Sequence, residues 1–308
     1  MAEPALIGVA ASFAVVTGAN DGGALLSTGL NLRGPRLISS IAALAACVVA
    51  APLLVSSGVA RTFAARLVTS GAGTTLMAGV VVAVAVVAVL TYAGLPTSLT
   101  LAVIGGLTGA GLGSGLPVSM TTAVTVLGVG MLAPFAGGLL GYLICRLTAL
   151  VPPGAGGALP GTHRVAFGLQ CLAYGVNDGQ KMLGVLLIAT GGTAAGASQL
   201  ALLTGCFVLG VLLGLPKVAR TLGGTLLAVR PLHAVSAELA GSVAVLASAA
   251  AGVPVSMTQS LAGGLVGAGV SQGHGRIRWR GAGRIWLAWV LTLPASAGLS
   301  ALVAWAIR

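Results

Sequence analysis

Long apolar runs, separated by short stretches rich in glycine, proline, hydroxyls or arginine, set the pattern of this chain. The runs at 41–55, 74–95, 119–144 and 236–253 are long enough, with their flanks, to cross about 30 Å of hydrocarbon. None alternates apolar and polar residues at period two, so the pattern predicts membrane helices and not the strands of a barrel. In order, it predicts a first helix over 5–30 interrupted at Gly18–Gly23, a loop at Asn31–Arg36 and a second helix over 37–58. The stretch Arg61–Gly73 is too polar to face lipid. A third helix over 74–95 ends at Gly94-Leu95-Pro96, where Thr97-Ser98-Leu99-Thr100 opens a short glycine-rich helix reaching 113. A further helix covers 118–149, and Pro152–Gly161 reads as a linker.

The second half replays the first. Asn20 and Asn177 are 157 residues apart within Gly-Ala-Asn-Asp (18–21) and Gly-Val-Asn-Asp (175–178). Val59-Ala60-Arg61-Thr62 returns as Val218-Ala219-Arg220-Thr221, and Gly94-Leu95-Pro96-Thr97-Ser98-Leu99-Thr100 as Gly252-Val253-Pro254-Val255-Ser256-Met257-Thr258. Gly105–Gly111 returns as Gly263–Gly269. The expected organisation is a first membrane repeat over 1–150, a linker over 151–163 and a second repeat over 164–308. About five segments per half, or about ten in all, with an odd number of full crossings in each half, would insert the halves in opposite orientation. The expected fold is therefore an all-α polytopic membrane protein of two inverted repeats with broken and re-entrant helices.

Composition agrees. Of 308 residues, 57% are hydrophobic and 6% charged, with a mean hydropathy of +1.07, which excludes an ordinary soluble globule. The net charge of +11 comes from basic residues spread over the loops, which reads as positive-inside bias and not as a nucleic-acid surface. Placing Arg33 and Arg36, with Arg276, Arg278, Arg280 and Arg284, in the cytoplasm puts both termini outside a plasma membrane. Met-Ala-Glu-Pro has no basic leader, so the first run is expected to be a retained helix. Cys47, Cys145, Cys171 and Cys206 stand singly and support neither a zinc site nor a disulfide framework. Glu238 is expected to cap a first turn, His163, His233 and His274 to lie in loops, and Trp279, Trp286, Trp289 and Trp305 to anchor an interface.

Chemistry concentrates in a few positions. The chain has four acidic residues, and two of them, Asp21 and Asp178, occupy the repeated Asn-Asp motif inside apolar runs. Ionisable groups in such runs are kept mainly where they bind something. The neighbouring glycines and asparagines predict unwound midpoints, with carboxylates and backbone carbonyls turned inward. A carboxylate with asparagine and carbonyls is a hard-oxygen set suited to Na⁺ or a proton. Ser98 and Thr100, like Ser256 and Thr258, fall in the first turn of a helix opened by a proline, where free N–H groups make an anion site. Lys181 stands three residues after Asp178, within reach for partial pairing. Gly105/Gly109 and Gly263/Gly267 read as close-packing pairs.

The two Asn-Asp motifs, the continuation Gly179-Gln180-Lys181 and the two Pro-x-Ser-x-Thr segments resemble the signatures of the inorganic phosphate transporter (PiT) family. The tail from Trp279-Arg280 through Leu291-Thr292-Leu293-Pro294 is also similar to that family's C-terminal helix. The resemblance covers nearly the whole chain in the right order. It implies no enzyme and no cofactor beyond a coupling Na⁺ or H⁺. It implies inverted repeats, commonly assembled as a homodimer, that carry inorganic phosphate through the lipid bilayer. By position, cation and phosphate ligands would fall on Asn20, Asp21, Asn177 and Asp178, with Gln180 and Lys181 beside the substrate. The phosphate-binding hydroxyls would be Ser98, Thr100, Ser256 and Thr258.

Departures touch the site. The family's Pro-Val-Ser-Thr-Thr-His becomes Pro-Thr-Ser-Leu-Thr-Leu at 96–101 and Pro-Val-Ser-Met-Thr-Gln at 254–259, and the first signature's later asparagine is Ala24. One rival reading is carriage of another oxyanion, such as sulfate, by the same architecture. Sulfate has no proton to donate, so the two carboxylate acceptors favour phosphate. An intramembrane aspartyl protease would need two carboxylates sharing a proton, and its Tyr-Asp and Gly-x-Gly-Asp motifs are absent. A scaffold or receptor would not need a doubled site.

Overall fold

The computed structural model describes residues 4–29, 37–55, 58–62, 66–67, 73–95, 97–148, 150, 159–221 and 226–308. Every regular element among them is helical. The first half contains α1 (Pro4–Thr17), a π turn at Gly18–Gly22, α2 (Gly23–Gly29), α3 (Leu37–Leu54), the single turn α4 (Gly58–Arg61), α5 (Gly73–Tyr92), α6 (Leu99–Gly113) and α7 (Met120–Thr148). The second contains α8 (Leu159–Tyr174), a π turn at Gly175–Gly179, α9 (Gln180–Thr190), α10 (Ala197–Thr221), α11 (Pro231–Ala250), α12 (Met257–Ser271), a 3₁₀ turn at His274–Arg276 and α13 (Trp279–Ala306). Among the described residues, seven helical stretches are long and apolar enough to cross a membrane. The arginine pair at 33 and 36, Pro96 and most of the linker lie outside the described residues.

The two motif midpoints differ from the unwound segments expected. Their flanks keep right-handed helical dihedrals, −58°/−49° at Thr17 and −68°/−31° at Gln180. Each break is one widened turn. A π turn moves the backbone bonds to i→i+5, inserting a residue that bulges from the helix without breaking its course. Gly, Asn and Asp lower the cost of that turn, and sequence propensity does not separate it from full unwinding.

The halves pack through each other in matched pairs. α6 lies against α13 while α12 lies against α7, and α5 and α11 each form a hairpin with the short helix that follows. These contacts are close because they lack side chains. A Cβ on Gly109 would sit 2.1 Å from the Ala297 carbonyl oxygen, and one on Gly267 would sit 1.8 Å from that of Gly138. The broken helices also run alongside each other. Moving outward from its π turn, α2 meets α8 moving inward: the Gln170 amide donates to the Leu25 carbonyl at 3.2 Å, and Thr28 lies beside Glu238 near His163.

Several surroundings differ from expectation. Glu238 lies in the second turn of α11, fully buried, with Oε1 3.2 Å from His163 Nε2 on α8. His163 is thus a helix residue of the interior and Glu238 is no cap, because each supplies the partner that lets the other be buried. His233 sits in the first turn of α11, where Nδ1 accepts the Arg230 backbone N–H at 3.3 Å. Trp279, Trp286 and Trp305 are exposed, whereas Trp289 is buried against the core. The four cysteines are free.

Gly109→Ala and Gly267→Ala should each lower stability by about 1–3 kcal/mol or more, the range for overpacked interiors. Gly298→Ala, on an open face of α13, should hold or raise the melting temperature, as alanine is the better helix former. Thermal melts in detergent check this, and equal behaviour of the three would refute backbone contact at these glycines.

Candidate functional site

The two asparagines of the repeated motif do the same thing in each half. Asn20 Nδ2 donates to Asp21 Oδ1 at 2.7 Å and to the Thr97 carbonyl at 2.9 Å, while its Oδ1 accepts the Thr97 N–H at 3.2 Å and the Thr91 hydroxyl at 3.1 Å. Asn177 Nδ2 donates to Asp178 Oδ2 at 2.8 Å and to the Val255 carbonyl at 2.7 Å, while its Oδ1 accepts the Val255 N–H at 3.2 Å. Each carboxamide therefore stands in for a strand neighbour, pairing with the one residue that precedes the cap of a half-helix. Both were expected as ligands of cation and substrate. Their hydrogen-bonding groups are committed to this clamp.

Next in the chain come the caps. Ser98 (φ −94°, ψ 105°) and Ser256 (φ −94°, ψ 118°) adopt the extended N-cap conformation, and their hydroxyls accept the N–H groups of Leu101 and Gln259, both at 3.3 Å. The half-helix starts face each other. Thr100 donates across to the Val255 carbonyl at 3.0 Å, and Thr258 to the Thr97 carbonyl at 3.4 Å. Ser256 and Thr258 hydroxyls lie 2.8 Å apart. Two helix N-termini, each with partial positive charge, thus converge on one spot with four hydroxyls between them.

Lys181 breaks the symmetry. Its ammonium donates to Asp178 Oδ1 and Thr100 Oγ1, both at 2.6 Å, and to the Val255 carbonyl at 2.5 Å. The matching position of the first half is Ala24, so Asp21 has no lysine of its own. Asp21 lies near enough to Asp178 and Lys181 to feel both charges, and the Tyr174 side chain faces it. Gln180 points elsewhere: its Oε1 accepts the N–H groups of Val59 and Ala60 at 3.0 and 3.3 Å, capping α4. All ten predicted residues are at most 3% exposed, so the site is closed to solvent. Nine of them converge, and Gln180 supports from behind.

Three threonines of this set escaped the sequence reading. The Thr97 hydroxyl lies 2.5 Å from that of Thr292 on α13, and Thr91 holds Asn20. Thr292 stands in the tail motif, which was its only signal. Among the described residues no three His, Cys, Asp or Glu side chains gather as a transition-metal site. The donors here are carboxylate, hydroxyl and carbonyl oxygens, which suit a hard monovalent cation or a proton.

Comparison with known proteins places this geometry. Residues 162–300 match the sequence model of the Phosphate transporter family. A probable low-affinity inorganic phosphate transporter of Mycobacterium leprae is 30% identical over 192 residues, 58% of this chain and 45% of that one. One of Rhizobium meliloti is 34% identical over 145 residues, 45% of this chain and 43% of that one. One of Bacillus subtilis is 29% identical over 187 residues, 56% of this chain and 55% of that one. The aligned stretches span about half the length of these relatives. A solved structure titled "The sodium-dependent phosphate transporter" superposes with a TM-score of 0.80 over 98% of both chains at 18% identity, which shows the fold. The resemblance read from the motifs is borne out.

The clamp has a distinct signature in stability. Asn20→Ala or Asn177→Ala orphans the buried N–H of Thr97 or Val255 and removes a donor from the neighbouring aspartate, so each should cost roughly 2–4 kcal/mol. Ser98→Ala and Ser256→Ala remove one N-cap and should cost about 1 kcal/mol. Chemical denaturation of the four variants in detergent tests the order, and asparagine variants no worse than the serine ones would overturn the clamp.

Proposed function

We propose that this chain, similar over its second half to the Phosphate transporter family, carries inorganic phosphate across the plasma membrane by secondary active symport with Na⁺ or H⁺. The observation that carries the reading is the pair of opposed half-helix starts, with Thr100 and Thr258 each reaching across to the other's backbone. An anion entering there exchanges these internal bonds for its own. Ser98, Thr100, Ser256 and Thr258 supply hydroxyls, the N-termini supply amides and partial positive charge, and Lys181 supplies a full one. Asp21 and Asp178 hold the coupling cation. Asn20 and Asn177 act on the substrate through the backbone they clamp.

Phosphate suits this site better than sulfate. A hydrogen-phosphate oxygen is a donor as well as an acceptor, and the buried carboxylates offer it an acceptor that sulfate cannot use. Proteolysis suits it less, since Asp178 has one oxygen on Lys181 and the other on Asn177, leaving no free carboxylate pair to activate water.

The two repeats lie inverted, giving about ten segments and both termini on the outer face. In support, α2 leaves the centre beside the incoming α8, so α1 and α8 approach from opposite sides. The cavity of about 750 Å³ that joins Pro52 and Leu53 of α3 to the loop after α9 (Gly191–Ala195) fits that plan.

Radiolabelled phosphate and sulfate uptake into proteoliposomes under imposed Na⁺ or H⁺ gradients tests the function. Asp178→Asn and Asp21→Asn keep shape and remove charge, so both should abolish gradient-driven phosphate uptake while the protein still inserts. A cation–anion coupling of roughly 1–3 kcal/mol is expected for the wild type. Variants that transport with unaltered ion dependence would sink the symport mechanism. For the orientation, cysteines at the exposed positions Ala5 and Gly192, in a background free of native cysteines, should label from one face. A cysteine at exposed Gly275 should label from the other. Opposite labelling of Ala5 and Gly192 would mean parallel repeats.

A further inference from the structure

The buried pair of His163 and Glu238 is used by nothing described so far. Burying a carboxylate and an imidazole between membrane helices is costly, and an apolar pair of similar volume would pack at least as well. The first repeat has that alternative: the positions matching His163 and Glu238 are Leu6 and Val80. The second repeat departs from it along a whole line. His163, Phe167, Gln170 and Tyr174 follow one another at spacings of four, three and four, which puts them on one face of α8, and all are buried. Their first-repeat counterparts at the polar positions are Leu6, Phe13 and Thr17.

This face leads somewhere. At its inner end, Tyr174 faces Asp21 of the central site. One turn outward Gln170 donates to the Leu25 carbonyl. At its far end His163 meets Glu238, flanked by the exposed Thr162 and Arg164. The line carries spare hydrogen-bonding capacity, since Gln170 Oε1, His163 Nδ1 and Glu238 Oε2 are buried without hydrogen-bond partners. Eleven residues of helix separate its ends, about 16 Å.

We propose that His163 and Glu238 form a proton-binding site on the side from which α8 enters, opposite the start of α1, and that the Gln170–Tyr174 face of α8 joins it to Asp21, so that a coupling proton carried on Asp21 with the substrate leaves toward the cytoplasm by this route. This deepens the symport reading and rests on it. The proton leaves the Asp21 carboxyl, whose O–H bond breaks, and converts the Glu238 carboxylate to the acid, or the neutral His163 ring to the imidazolium. Between them the Tyr174 hydroxyl and water hydrogen-bonded to the unpartnered Gln170, His163 and Glu238 atoms each give up one proton as they take another, and water at the far end of α8 receives it. Other titratable groups on the elements packed against this pair are Cys171 and Arg164 on α8, His233 on α11, Cys47 on α3, Asp178 at the second π turn, Arg61 on α4, and Tyr142, Cys145 and Arg146 on α7; α2 and α12 carry none. No other carboxylate stands between Glu238 and the centre among the described residues.

The test compares phosphate uptake with and without an acid-outside gradient in proteoliposomes. It uses the full chain, Glu238→Gln, and a double variant, His163→Leu with Glu238→Val, that copies the first repeat and leaves no charge unpaired. Wild type should show a stimulation of about fivefold or more, a usual size for coupled sites, with acidification of the lumen during uptake. In both variants that ratio should fall to near one, with monodisperse elution unchanged. A ratio equal to wild type in the double variant overturns the proposal. If wild type takes up no phosphate, the transport reading has failed, and infrared difference spectra of wild type against Glu238→Gln judge the proton site alone. A carboxylic-acid band that titrates with pH only in wild type supports it, and identical spectra overturn it.

Discussion

A backbone N–H or C=O at membrane depth must find a partner inside the protein. The extended residues that start α6 and α12 cannot use their own helices for this. Thr97 and Val255 precede the caps, so the N–H of each would be orphaned in the interior and its carbonyl left to the threonine hydroxyl that reaches across. Asn20 and Asn177 remove that penalty with one side chain each, and the rest of the site follows. The clamp fixes the distance from each π turn to its half-helix. It thereby sets Asp21 and Asp178 beside the helix N-termini, and it leaves the capping serines and cross-bridging threonines facing each other and Lys181.

Close backbone packing makes that clamp possible. Where α6 meets α13 and α12 meets α7, glycine lets carbonyls stand where a Cβ would be, so the half-helices are wedged between full-length neighbours. A half-helix with an apolar surface all round has no preferred rotation of its own. Its orientation is set by which of its stripes lacks side chains, and the hydroxyls of its first turn then point where the wedge allows. Structure and site share one cause.

Much of this was legible because the chain writes it twice. The Asn-Asp and Ser-x-Thr positions stood out through recurrence at near-constant spacing, and the small-residue pairs through their four-residue interval. What recurrence could not supply was the pairing between motifs. Asn20 and Thr97 are 77 residues apart, so the sequence shows two polar positions in apolar runs and not which atoms they satisfy. Each asparagine therefore read as a ligand. Gln180 misled in the same way, lying next to the motif while its carboxamide serves α4. The pair His163–Glu238 escaped for the opposite reason. It has no copy in the first half, and each member beside an arginine or a serine had a local explanation that sufficed. Features that differ between the repeats are invisible to an argument from duplication, and they are the ones that can make a symmetric scaffold directional.

Charge in the closed site sharpens that point. With both carboxylates ionised, Asp21 and Asp178 face one ammonium, and the ammonium leans toward Asp178. Asp21 is then an uncompensated charge at low dielectric, which is costly unless a cation or a proton joins it. Until one does, any anion at the helix N-termini meets net negative charge, and the partial charges of two dipoles do not offset it. Under the proposed symport, neutralising Asp21 therefore comes first in the favourable order of binding. The half of the site without a lysine is thus the half whose carboxylate lacks a charge partner within the chain.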